Sequence, residues 1–374
     1  MGVHDWCAGP HARHEYERIF STRRRIMNSS TPRQIRLHIA RSDRSTPLLP
    51  VAAAALVAAG DTATAVPNER IYGELIQSLR DQFIFVDHMA EADVVFCAHD
   101  ISEHSAAAHD VSRAAKACGK SAFFHSESDN ERPTRSVHGV VYRSSTRATW
   151  RRPHEQVATG CVPDLTLERS KTMSDRVAWD ECPSLGFMGH VTYGFRSLAY
   201  LRKGWANFYG FRLREQALRA FEGSPLVKTS FTRRSMNLGP PMAGTSASDL
   251  RAAMRQEYVD SVFNNSYSLC IRGAGNWSYR FFEALSAGRI PVLLDTDCAL
   301  PLEGRVQWDR HVCRIPLKQI KESAAILNRF HRSLGPEGHA QIQVANRRLW
   351  VDHICPAKFF VNALRHTLER QVRS

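Results

Sequence analysis

Two arginines, a serine and a glutamate crowd the stretch "RGAGNWSYRFFEAL" as Arg272, Ser278, Arg280 and Glu283. A guanidinium is a planar fork of N–H donors that matches phosphate oxygens two at a time. A serine hydroxyl beside it adds a donor. A carboxylate accepts two hydrogen bonds and suits the vicinal hydroxyls of a ribose. Arg280 and Glu283 are three apart, so on a helix both face one side. The four residues together could clasp a nucleotide diphosphate. The same spacing also fits a helix-surface ion pair worth ~0.2–0.5 kcal/mol, with Ser278 as a plain cap.

The flanking sequence says how such groups would be held. "YSLCI" reads as a buried strand, "RGAGN" as a glycine-containing loop and "YRFFEALSAG" as a helix opened by Ser278 and stopped by Gly288. "IPVLL" is the next strand. In a β-loop-α-β unit, ligands sit outside the carboxyl ends of the strands and anions sit on helix N-termini.

The rest of the chain repeats this alternation. "IRLHIA", "FIFVD", "ADVVFCAHD", "SAFFHSESD" and "HGVVYRSS" read as strands ending in polar residues, separated by helical patterns such as "NERIYGELIQSLRD". A mostly parallel α/β layer follows. The polar segment 159–184, with two prolines and no periodicity, reads as a link. A second α/β unit opens at "LGFMGH" and continues through the helix "FRLREQALRAFEG" and the strand-like "LVKTSF". The expected organisation is an irregular basic arm over 1–34, an N-terminal Rossmann-like domain over 35–158, a linker over 159–184, a C-terminal Rossmann-like domain over 185–345 and a helical tail over 346–374.

At 374 residues the chain has room for two domains, and 43% hydrophobic residues can supply their cores. The formal net charge of +13 favours a polyanionic partner: nucleic acid, an anionic membrane face or a phosphate-bearing substrate. Arg23, Arg24 and Arg25 in the basic arm contribute to it without bearing on a site. The nine cysteines form no C-x-x-C pair and their number is odd, which reads as reduced thiols in a cytoplasmic protein. "LLPVAAAALVAAG" is too short to span a bilayer and reads as a packed helix. No signal peptide is read at the N-terminus.

The stretch "SYRFFEALSAGRIPVLLDTDCALPLEGRVQWDRHVCRI" resembles the C-terminal signature of the exostosin-like glycosyltransferases. In that family a serine-x-arginine precedes a glutamate-alanine pair, here Ser278, Arg280, Glu283 and Ala284. An alanine-glycine-x-(Ile/Val)-Pro-Val strand follows, here Ala287, Gly288, Ile290, Pro291 and Val292. A leucine-proline turn at Leu300–Leu302 and a tryptophan, Trp308, complete it. "LGFMGH" and "REQALRAF" resemble the start of the family's C-terminal domain more weakly, and the N-terminal half is generic. The resemblance implies an α/β GT-B fold, two Rossmann-like domains with a cleft between them. It also implies a nucleotide-sugar donor, UDP-linked by the family's habit, held by the C-terminal domain, where Arg272, Ser278, Arg280 and Glu283 form the expected clasp, and transfer with inversion. No cofactor and no metal are expected. The partners expected are the donor and a glycan or lipid-linked acceptor, with no nucleic acid, and the basic charge permits peripheral membrane association. Eukaryotic exostosins carry a membrane anchor, and this sequence shows none, which suggests a cytoplasmic enzyme of envelope or capsule polysaccharide synthesis.

Inverting transfer needs a base for the acceptor hydroxyl. The strand ends of the N-terminal domain offer His99, Asp100, His125, Glu127 and Asp129. Asp100 and Glu127 are the expected catalytic residues, because a carboxylate at a strand's carboxyl end points into the cleft. The two glutamates eight apart of many retaining GT-B enzymes are absent, since Gly275 stands eight before Glu283. "DTD" (Asp295–Asp297) matches the metal-binding Asp-x-Asp of the other large glycosyltransferase fold, but its place late in the chain reads as a capped turn. Two alternatives stay open: a polyanion- or nucleic-acid-binding protein on a degenerate transferase scaffold, supported by the basic runs, and a nucleotide-sugar epimerase on the same fold.

Overall fold

The computed structural model describes residues 34–42, 46–66, 68–191, 205–234 and 247–371. The arm before residue 34 and the Gly/Pro/Ser loop read at 238–248, apart from its last two residues, lie outside them. Two β-sheets, each flanked by helices, make up the described chain. The first has the order β2-β1-β3-β4-β5-β6 and the second β11-β10-β9-β7-β8.

In the first sheet β1 (Ile35–Ala40), β3 (Val94–Cys97), β4 (Ala122–Ser126), β5 (Gly139–Arg143) and β6 (Glu155–Val157) pair in parallel, and β2 (Phe83–Phe85) forms the edge. The alanine-rich run becomes helix α1 (Pro50–Ala58), with Val51 through Ala55 buried. Its mixed face of small residues packs closely because little side-chain entropy is lost there. Helix α2 (Glu69–Gln82) starts on Asn68, whose side chain accepts the Arg70 N–H, and buries Tyr72, Leu75 and Leu79. That is the three-and-four spacing of an amphipathic helix. Helix α3 (Ser105–Ala117) completes this layer.

The second sheet is parallel at every pair: β7 (Ser184–His190), β8 (Lys228–Arg234), β9 (Tyr267–Cys270), β10 (Ile290–Asp295) and β11 (Cys313–Pro316). Parallel strands covered on both faces read as continuous apolar runs, and β9 and Ile290–Leu294 of β10 are buried throughout. Helices α4 (Trp205–Glu222), α5 (Ala247–Phe263), α6 (Tyr279–Ser286) and α7 (Ser323–Leu349) belong to this unit. The chain therefore has the α/β class and the two Rossmann-like sheets of the GT-B plan.

The span 159–184 contains one short turn of 3-10 helix, Leu165–Leu167. Leu165 is fully buried against Val259, Phe263 and Ala287. The tail does not stay with the second sheet. After a π-helical turn at Trp350–Ile354, helix α8 (Pro356–Gln371) returns to pack on α2 and on β3, β4 and β5. Phe359 and Phe360 are buried there, and Tyr142 Oη lies 2.7 Å from His366 Nδ1. The last helix thus joins the C-terminal layer to the N-terminal one. Among the described residues no helix is long and apolar enough to cross a membrane.

Candidate active site

The loops after the carboxyl ends of both sheets meet along one seam. Asn276, in the loop between β9 and α6, is its rivet. Its backbone N–H donates to Ser145 Oγ at 2.9 Å, and its side-chain amide donates to the carbonyls of Thr146, Thr296 and Asp297, each at 3.2 Å. Trp277 Nε1 donates to Asp129 Oδ1 at 3.2 Å. Arg272, at the end of β9, is 3% exposed and ion-paired with Glu131 from the other side of the seam; it also donates to the Ala274 carbonyl at 2.6 Å. A buried charge of this kind survives only with such partners.

Helix α6 is built as its sequence implies. Gly288 takes φ 64° just past its end, the left-handed turn that a glycine supplies without Cβ strain. Ser278 occupies the N-cap position, yet its hydroxyl makes no capping bond. That oxygen is buried and without a partner. Helix N-termini leave N–H groups without intrahelical acceptors and carry about half a positive charge. A hydroxyl at such a point has the chemistry to donate to an anion.

Arg280 and Glu283 do not form the surface ion pair that their spacing allowed. The Arg280 guanidinium donates to the Met188 carbonyl from Nε at 3.0 Å and Nη2 at 2.6 Å, and stacks over the Phe187 ring at 4.7 Å. Gly189 makes the approach possible, because a Cβ there would lie 1.9 Å from Arg280 Nη2. Glu283 is held by Arg255 Nη1 at 3.1 Å and by a hydrogen bond from the Tyr258 hydroxyl. Arg255 is in turn fixed by Glu168 at 2.8 Å.

A further cation, Arg214 on α4, faces the same strand ends and was not singled out in the sequence. It is 9% exposed and donates from Nη1 to the His190 carbonyl at 3.0 Å, while its Nε is buried without a partner. Burial first, and the nearby Arg280 charge second, push its pKa down to about 9. Two like charges held together in a protein interior destabilise each other unless an anion joins them. Among the described residues neither Arg214 nor Arg280 is paired with a carboxylate. The signal was in the sequence, because Arg214 shares the helical stripe of Ala217 and Leu218, where an apolar side chain is the rule.

On the N-terminal side the two expected acids have different surroundings. Asp100 Oδ1 accepts the backbone N–H groups of Ser102 at 2.8 Å and Glu103 at 3.2 Å, and Oδ2 accepts that of Glu127 at 2.8 Å. Glu127 Oε1 lies 3.4 Å from His125 Nε2, an electrostatic contact without good hydrogen-bond alignment, and accepts from Cys161 Sγ at 3.6 Å. Burial works to raise the Glu127 carboxyl, but His125 and then Cys161 more than offset it, and its pKa is lowered. The Cys161 thiol is raised by burial and then by the Glu127 charge, so it stays a donor. His99 is tied to Ser42 and Pro47, with contacts of 3.1 and 3.2 Å. In "SESDNE", Asp129 is held by Trp277 and Glu131 by Arg272 from across the seam, while Glu127 is held by neither side of it and pairs with no arginine or lysine among the described residues.

Asp295 Oδ1 accepts the N–H groups of Asp297 at 2.9 Å and Cys298 at 3.2 Å, and Oδ2 accepts Arg314 at 3.0 Å. Asp297 adopts φ 65° and accepts from the Thr149 N–H and hydroxyl across the seam. Among the described residues no three His, Cys, Asp or Glu side chains are grouped to hold a metal ion.

Part of the chain is similar to known proteins. Residues 212–330 match the exostosin GT47 domain. Exostosin-1 of Drosophila melanogaster is 30% identical over 111 residues, which are 30% of this chain and 15% of that protein. The chain thus spans only a small part of that curated relative. Among solved structures, TarM aligns with a TM-score of 0.38 at 8% identity over 75% of this chain and 54% of TarM. The calicheamicin glycosyltransferase CalG4 aligns at 0.34 and 10% identity over 91% of this chain and 99% of CalG4. The matched stretch, which contains Arg214, Arg272, Ser278, Arg280 and Glu283, is similar to the exostosin glycosyltransferase domain.

Proposed function

We propose that this protein is an inverting, metal-independent glycosyltransferase that moves a sugar from a nucleotide diphosphate donor, UDP-linked, to a hydroxyl of a glycan or lipid-linked acceptor. The observation that carries the reading is the pair Arg214 and Arg280, both without a carboxylate, beside the free Ser278 hydroxyl at the N-terminus of α6. The diphosphate sits against these groups. Arg272, its own bonds given to Glu131 and the loop, adds positive potential from the strand end. Glu283 takes the ribose hydroxyls. A carboxylate offers about four lone-pair positions, and Arg255 and Tyr258 use two of them while fixing its direction.

In the reaction, Glu127 removes the proton of the acceptor hydroxyl as that oxygen attacks the anomeric carbon. The bond from that carbon to the diphosphate breaks, and the nucleoside diphosphate leaves with its added charge on Arg214, Arg280 and the helix terminus. The carboxylate must be ionised to act as base, and its lowered pKa serves that. Asp100 holds the Glu127 backbone in place. The context we propose is envelope or capsule polysaccharide synthesis in the cytoplasm, with peripheral membrane association consistent with the basic charge.

A thermal-shift comparison of UDP, GDP, CMP and a short RNA tests the reading. Stabilisation by one nucleoside diphosphate and not by RNA is expected. Stabilisation by RNA alone would overturn it in favour of a polyanion-binding protein.

A further inference from the structure

Tyr279 stands between the two charged clusters and belongs to neither. It lies one residue from Ser278 and one from Arg280, and at 53% exposed it is a large ring left open to solvent at the head of α6. Its ring centroid is 4.3 Å from that of Trp277, with the planes tilted by 54°. Trp277 cannot shift. Its indole N–H is held by Asp129, and the ring is wedged between two glycines: a Cβ on Gly160 would lie 3.0 Å from it and one on Gly275 2.8 Å. Gly160 leads directly into Cys161, whose thiol touches Glu127. Burial, and then the charge of Glu127, push the Tyr279 phenol up to about 12, consistent with the ring lying within the field of that carboxylate.

We propose, resting on the transferase reading above, that Tyr279 backed by Trp277 is the acceptor subsite: an aromatic shelf on which the terminal pyranose ring of a neutral or weakly charged glycan packs, bringing one hydroxyl to Glu127. The chemistry selects this occupant. The C–H groups on one face of a pyranose are weakly positive and apolar, and they pack on the negative face of an aromatic ring. The hydroxyls at the rim then meet carboxylates, Glu127 and Asp129, rather than cations. A nucleobase could also stack on Tyr279. Tyr279 lies in the field of Glu283 as well as of Glu127, and the UDP measurement below separates a stacked base from a packed sugar. A fixed indole behind an exposed phenol supplies the preorganisation that carbohydrate binding needs, since few groups must be ordered on association.

The experiment measures two affinities on one protein: UDP by calorimetry, and retention on a printed array of tagged neutral and acidic oligosaccharides in saturating UDP. Wild type and Tyr279→Phe are expected to retain the same glycans. Tyr279→Ala is expected to lose about tenfold or more of that signal with UDP affinity unchanged within about twofold. Because the ring is exposed, the alanine variant should keep the wild-type melting temperature, and that is checked first. Glycan retention unaffected by Tyr279→Ala overturns the shelf, and so does a loss of UDP affinity, which would make it a base-stacking residue. Wild-type protein that binds UDP but no glycan overturns the shelf and leaves the transferase reading standing. Protein that binds neither overturns both.

Discussion

Asp100 Oδ2 accepts the backbone N–H of Glu127 at 2.8 Å, so one acid fixes where the other is presented. All three of Asp100's side-chain hydrogen bonds come from backbone N–H groups, which occupy most of its lone pairs. Glu127 has no such load. Glu127→Gln is therefore expected to lower turnover by ~10²- to 10⁴-fold with UDP affinity unchanged, the usual scale for a lost general base. Asp100→Ala removes a positioning contact worth ~1 kcal/mol and should cost within about tenfold. Steady-state rates for both variants check the order. An Asp100 variant more damaged than the Glu127 variant would reverse the roles.

Much of the fold around these acids is legible in the sequence. Ser278 and Gly288 bound α6 as their types require, and the alternation of apolar runs gave both sheets. The short strands β6 and β11 were not legible. "EQV" and "CRIP" are too brief to show a period, and their pairing comes from neighbouring strands already in register. The seam was illegible for a different reason. Glu131 finds Arg272, and Asn276 finds Thr146, across more than a hundred residues, and nothing local marks a polar residue as someone's distant partner. Arg214 is the exception, an arginine standing on an apolar helical stripe.

Arg214 and Arg280 should act on the phosphates and not on the nucleoside. Each charge-assisted contact is worth ~1.5–3 kcal/mol, so Arg214→Ala and Arg280→Ala should each weaken UDP binding about 10- to 100-fold and leave uridine nearly unchanged. Gly189→Ala should reproduce part of the Arg280 effect, because its methyl would displace Nη2. Calorimetry with UDP and uridine separates the cases. Equal losses for both ligands would remove the phosphate role.

Acid should weaken the fold through the buried histidines of the C-terminal layer. His339 is pushed down to about 4 by burial and then by His331 and Arg289, and burial also lowers His331. A histidine whose folded pKa lies below its unfolded value of about 6.5 binds protons more readily in the unfolded chain. Its contribution to stability is complete above about pH 6.5 and is lost as the pH falls toward about 4. Thermal melts between those values should decline steadily. His339→Gln, which cannot titrate, should flatten the decline. A flat wild-type profile would show that these rings do not titrate with unfolding.

Chelation should leave the proposed transfer activity in place. In metal-dependent transferases a divalent ion neutralises the leaving diphosphate. In the proposed donor site Arg214, Arg280 and the α6 terminus take that role, and the carboxylates of the Asp-x-Asp motif are committed elsewhere. Asp295 holds its own turn and Arg314, and Asp297 receives Thr149 from across the seam. EDTA is expected to change the rate within about twofold, and added Mn²⁺ or Mg²⁺ to add little. Asp297→Ala should lower the melting temperature by loosening the seam, and the metal response should stay as it was. Activity abolished by EDTA, restored by Mn²⁺ and lost again in Asp297→Ala would mean that this turn opens to bind a cation at the donor. The arginine pair would then be left without the charge that explains it.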